Sequence, residues 1–80
     1  MTEFELWINV VGGESDEERC VLETNDLEEV VKAVDKYEDE VLYDSDKYFE
    51  LHSLYYNELS FTFNSYKDFE ERVNPKLGKQ

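Results

Sequence analysis

Residues 3–11, EFELWINVV, alternate: Phe4, Leu6, Ile8 and Val10 fall on one side, and Glu3, Glu5 and Asn9 fall on the other with Trp7 and Val11. A period of two with aromatic and β-branched residues predicts a half-buried strand. Gly12 and Gly13 break it. RCVLET, residues 19–24, reads as a second strand, antiparallel to the first across a loop longer than a tight hairpin turn. In this reading Cys20 shares an apolar face with Leu22.

The period then changes. Leu27, Val30, Val31, Val34, Tyr37, Val41 and Leu42 recur at spacings of three and four, which draws one apolar stripe along a helix. Asn25 fits the N-cap and Glu28 completes a capping-box pattern, so the helix is expected from about Asp26 to Leu42. Residues 43–46, YDSD, read as a loop. Residues 47–57 are ambiguous, since Phe49, Leu51 and Tyr55 fit a strand while Tyr48, Leu51, His52 and Tyr55 also fit a helical stripe. The strand is favoured because LSFTF at 59–63 alternates cleanly and gives it a partner. Ser65 caps a final short helix with Asp68 in the capping-box place and Tyr66, Phe69 and Val73 inside; Pro75 bounds it, leaving residues 75–80 as a frayed tail.

The order is ββαββα within a single domain spanning residues 1–80. The expected fold class is α+β: a small two-layer domain, its four-stranded, mostly antiparallel sheet carrying two helices on one face. Phe4, Leu6, Ile8, Leu22, Val30, Val34, Phe61 and Phe63 form the expected core. LEEVV at 27–31 and FEERV at 69–73 look alike; amphipathic helices after hairpins commonly do, and that account is preferred over duplication.

Charge changes the picture most. The chain has 80 residues, with 21 Asp and Glu against 8 Lys and Arg, a formal net charge of −13. That exceeds what solubility of a small domain requires. Six Tyr, five Phe and one Trp supply enough apolar surface to argue against disorder. Residues 1–42 carry a net of −11, residues 43–63 a net of −3 and residues 64–80 a net of +1. The acids concentrate in Glu14, Asp16, Glu17 and Glu18 of the first loop, and in Asp35, Glu38, Asp39 and Glu40 on the helix. Acids in a last helical turn oppose the helix dipole, so something other than helix propensity is expected to keep residues 38–40 acidic.

Composition also narrows the chemistry. Cys20 is the only cysteine and His52 the only histidine, which leaves a single possible thiol–imidazole pair and no intrachain disulfide. A lone cysteine agrees with a reducing, cytoplasmic location. DSDKY at 44–48 begins like a calcium loop but lacks the third ligand, the glycine and the final glutamate, where Tyr55 stands. Zinc would need more Cys and His, and no metal or other cofactor is expected. The acids after Gly12–Gly13 repel phosphate, and a net of −13 disfavours nucleic acid and anionic membranes alike. No basic region precedes an apolar run, and no apolar run approaches a membrane span.

The acidic surface itself remains. Acids at i, i+3 and i+4 stand about 5–6 Å apart on a helix, so Asp35, Glu38 and Asp39 offer a phosphate-like row beside the 14–18 loop. The expectation is a non-enzymatic binding protein whose partner is a basic protein. Charge and size resemble, as a class, the small inhibitors that phages and mobile elements encode against nucleases, restriction enzymes or CRISPR effectors, in the manner of a DNA mimic. An immunity or antitoxin-like protein against a basic toxin is the alternative, followed by a generic intracellular domain and an undetected enzyme. A mimic predicts acids aligned on one face; an immunity protein predicts a compact acidic patch with aromatic anchors at its centre; an enzyme predicts a concave pocket with convergent polar groups.

Overall fold

The computed structural model describes residues 3–12, 18–44, 46–53 and 59–77. Four strands, β1 (Phe4–Val10), β2 (Arg19–Thr24), β3 (Lys47–Ser53) and β4 (Leu59–Phe63), form one sheet in the order β2-β1-β3-β4, with every neighbouring pair antiparallel. The helix α1 (Leu27–Tyr43) crosses from β2 to β3. A second helical run follows β4: α2 (Tyr66–Asp68), a π-helical turn (Phe69–Val73) and α3 (Asn74–Leu77). The α+β class and the ββαββα order are therefore as expected.

Residues 47–53 are strand, because Phe49, Leu51 and Ser53 alternate into the core; residues 54–57 of the ambiguous stretch lie outside the described residues. Cross-strand pairing assembles the rows Leu22–Leu6–Leu51–Phe61 and Ile8–Phe49–Phe63. Val30, Ala33, Val34 and Val41 of α1 close over them, joined by Phe69, Val73 and Leu77. Phe49 stacks on Phe63 at 5.2 Å, and Phe63 meets Phe69 at 5.1 Å. Burying each such side chain stabilises the fold by about 1.5–3 kcal/mol. The helices share this single core, so the opposite face of the sheet is free of helix.

Several expectations need correction. Asp26, not Asn25, is the N-cap of α1; its carboxylate accepts from the Glu28 N–H at 2.9 Å. Asn25 Oδ1 instead accepts from the Glu3 N–H at 2.7 Å, tying the cap to the start of β1. Leu42 is 55% exposed, one step off the buried stripe, and Leu22 and Phe61 are half-buried because β2 and β4 are the outer strands. Gly12 ends β1 with a φ of 69°, a left-handed conformation that glycine adopts without strain.

Cys20 does not share a face with Leu22. Leu6 pairs with Leu22 but Trp7 pairs with Cys20, so Val21 is an extra residue and β2 bulges there. The inserted residue turns Cys20 to the helix-free side beside Trp7, and brings Arg19, paired with Ile8, to the helix side.

Pro75 does not end the last helix, and the chain does not fray at 75. Leu77 is 2% exposed and belongs to the core; residues 78–80 lie outside the described residues. A proline inside a regular α-helix removes a donor and collides with the carbonyl four residues back. Here the Asn74 N–H reaches back five residues to the Phe69 carbonyl, and this wider turn accommodates the ring one residue later. The look-alike segments therefore differ: 27–31 opens a regular α-helix, while 69–73 is the π turn.

Candidate partner-binding surface

The acids expected to form the interface meet different fates. Glu14, Asp16 and Glu17 lie outside the described residues. Glu18 is exposed just before β2, and Asp35 and Asp39 are exposed on α1. Glu38 and Glu40 are half-buried and occupied within the chain. Glu38 Oε2 accepts from the Tyr66 N–H at 2.7 Å, one of the donors that the start of α2 leaves unpaired. Ser65 Oγ accepts from the Asp68 N–H at 3.1 Å, so side chains from two elements cap that helix.

Glu40 binds two cations. Arg19 Nη2 donates to both its oxygens at 2.7 and 2.8 Å, and Lys47 Nζ donates to Oε2 at 3.1 Å. The Arg19 bond, helped by Lys47, holds the Glu40 carboxyl below the ordinary glutamate range despite partial burial. Arg72 does the same for Asp68. The acids at 38 and 40 thus have structural partners, distant in sequence, that offset the unfavourable helix dipole. The Thr24 hydroxyl donates to Glu29 at the other end of α1 and also accepts from the Asp26 N–H at 3.0 Å.

The outer face of α1 is not a continuous acidic row. Glu28, Lys32, Asp35 and Asp39 recur along it at spacings of three and four, and Lys32 and Lys36 are both exposed there. Those cations interrupt the phosphate-like spacing.

The helix-free face of the sheet has the other arrangement. Strand alternation and the bulge bring Glu23, Glu5, His52 and Ser60 into one row, and Cys20, Trp7, Glu50 and Thr62 into the next. Trp7 is partly exposed near the middle. Its Nε1 donates to Glu5 Oε1 at 3.2 Å, and His52 meets its ring edge-on at 6.5 Å. Glu50 accepts from Asn9 Nδ2 at 2.6 Å and from Ser60 Oγ at 2.9 Å, with His52 Nε2 3.4 Å away. Asn9 is 2% exposed, and its Oδ1 has no donor among the described residues. Three carboxylates therefore surround one tryptophan. The alternation of β1 already brings Glu5, Trp7 and Asn9 onto one face, a signal weaker along the chain than the denser acids of 14–18 and 35–40.

Cys20 and His52 sit on β2 and β3 with β1 between them. Two strand spacings separate their backbones by roughly 10 Å, beyond a nucleophile–base hydrogen bond. Burial, with the Glu23 and Glu5 charges, pushes the Cys20 thiol up, away from the reactive thiolate. Among the described residues no group of three His, Cys, Asp or Glu could hold a metal ion. Asp44 of the calcium-like stretch accepts from the Asp46 N–H at 3.1 Å, an Asx turn closing α1. An open cleft of about 510 Å³ lies beside β3 and β4, lined by Lys47, Tyr48, Thr62, Asn64 and Arg72 among others. Both of its cations are already paired, Lys47 with Glu40 and Arg72 with Asp68. No helix among the described residues is long and apolar enough to cross a membrane.

No protein-family model, curated protein or solved structure matches this chain.

Proposed function

We propose that this chain is a small acidic binding protein that occupies a basic surface on a partner protein. The observation that carries the reading is uncompensated charge. Among the described residues, the three Lys or Arg ion pairs fall on only two carboxylates, Glu40 and Asp68. The other 15 of the 17 acids among the described residues have no Lys or Arg partner there, at a cost in self-repulsion that folding alone does not require. A basic partner relieves that repulsion on contact. The reducing cytoplasm suits the single free thiol of Cys20.

Two forms of this activity differ in the partner surface. A nucleic-acid mimic blocks the channel of a nuclease, restriction enzyme or CRISPR effector, and it needs an extended acidic row. A neutraliser of the immunity or antitoxin kind needs a compact patch with an aromatic centre. The cations within the α1 row and the carboxylates around Trp7 favour the second form.

The test is capture of lysate proteins on the immobilised chain at low salt, with an equally small neutral protein as control. Retained proteins should be basic, should elute as salt rises, and should bind the chain again after purification. Displacement by duplex DNA identifies the mimic, and retention against DNA identifies the neutraliser. If the control column retains the same proteins, the reading fails.

A further inference from the structure

We propose that the helix-free face of the sheet receives the partner, and that its occupant is an arginine side chain of the basic protein, seated on the Trp7 indole between Glu5 and Glu50. This rests on the reading of the chain as a binder of basic proteins.

The outer face of a one-sided antiparallel sheet ordinarily turns polar residues to water. Here it leaves a tryptophan partly exposed. Glu5 and Glu23 stand directly opposite one another, an arrangement that destabilises a ladder. No Lys or Arg relieves them among the described ion pairs, because Arg19 and Lys47 reach to the helix side for Glu40. Glu50, the register partner of Trp7, has His52 Nε2 3.4 Å from it and no Lys or Arg on it among the described residues, and is held by the neutral donors Asn9 and Ser60. They fix its position and leave its charge. Asn9, 98% buried beside it, keeps a carbonyl oxygen without a donor among the described residues. The patch is thus negative, pre-positioned, short of donors and centred on a π face.

A guanidinium answers each of these needs. Its plane stacks on an indole, its charge is attracted by the ring, and its fork of N–H groups serves carboxylates on both sides. A lysine ammonium supplies charge without the plane or the fork. Aromatic sheet faces also serve as stacking platforms for single-stranded nucleic acid, but those rely on cations, and three carboxylates here repel phosphate.

Trp7 is the only tryptophan, so its fluorescence reports on this face directly. The experiment titrates the intact chain at low salt with nona-arginine and nona-lysine, following Trp7 emission and, in parallel, the anisotropy of dye-labelled peptide. Nona-arginine should change the emission saturably and bind several-fold more tightly than nona-lysine. The pair Glu5→Gln with Glu23→Gln, which removes repulsion and keeps an acceptor for Trp7, should weaken nona-arginine about tenfold. The control pair Glu28→Gln with Asp35→Asn removes the same charge from α1 and should weaken it less than about twofold. If nona-arginine binds while Trp7 emission stays constant, or if the α1 pair weakens it as much, this face is wrong and the basic-partner reading survives. If neither peptide binds, both fail.

Discussion

Glu5 and Glu23 face each other across the β1–β2 ladder on the side of the sheet that no helix covers. Like charges so placed cost stability, so Glu23→Thr should raise it by about 0.2–1 kcal/mol. Urea titration measures the gain. The same substitution should weaken binding of a basic partner, a trade that a purely structural residue would not show.

Glu38 and Asp39 are neighbours with opposite roles. Glu38 caps the Tyr66 N–H, whereas Asp39 is exposed and its carboxylate has no hydrogen bond or ion pair among the described residues. Glu38→Ala should cost about 1 kcal/mol, as loss of a helix cap does, and Asp39→Ala should stay within about 0.5 kcal/mol of the parent. Thermal melts of the two variants make the comparison.

Val34 and Leu42 are both apolar residues of α1, and only one is core. Val34 is 0% exposed against 55% for Leu42. Val34→Asp buries an unpaired carboxylate and should abolish cooperative unfolding, given that an 80-residue domain holds only about 4–12 kcal/mol in total. Leu42→Asp should melt like the parent. Circular dichroism against temperature reads both.

Leu77 makes the C-terminal segment structural. Leu77→Ala should cost about 2–5 kcal/mol, read as a fall in the urea midpoint.

Acid should reveal Glu40. Its cations hold its folded-state pKa below the unfolded value, so the stability they confer is fully present above roughly pH 4.3, the ordinary glutamate value. It is lost as pH falls further, through the depressed folded value. Asp68, lowered by Arg72, adds loss in the same direction. The urea midpoint should therefore hold above about pH 5 and fall below about pH 4. Glu40→Gln should start lower at neutral pH and show a shallower fall below about pH 4.

The readable part of this fold was the part written in short range. Phe4, Leu6 and Ile8 show their strand by alternation, and Val30 and Val34 their helix by spacing, because each pattern needs only neighbours a few residues away. Val21 could not be recognised as a bulge, since the extra residue exists only relative to the register of β1. Glu38 and Glu40 looked surplus because their partners, Tyr66, Arg19 and Lys47, are 28, 21 and 7 residues away. Leu77 followed a proline that a regular helix would not admit, and only the preceding π turn admits it. For the candidate site, charge density along the chain pointed to residues 14–18 and 35–40, whereas three carboxylates on three different strands gather around Trp7 only when the sheet forms.

The two outer strands carry different protections against templating. Along β2 the bulge at Val21 breaks the even spacing that an incoming strand would have to match. Along β4, Arg72 Nη2 donates to the Thr62 carbonyl at 2.7 Å while Nε and Nη2 both donate to Asp68, so a guanidinium stands where a foreign amide would otherwise bond. A kink on one flank and a bonded acceptor on the other both disfavour edge-to-edge growth into fibrils, by means that do not depend on the mutual repulsion salt would screen away.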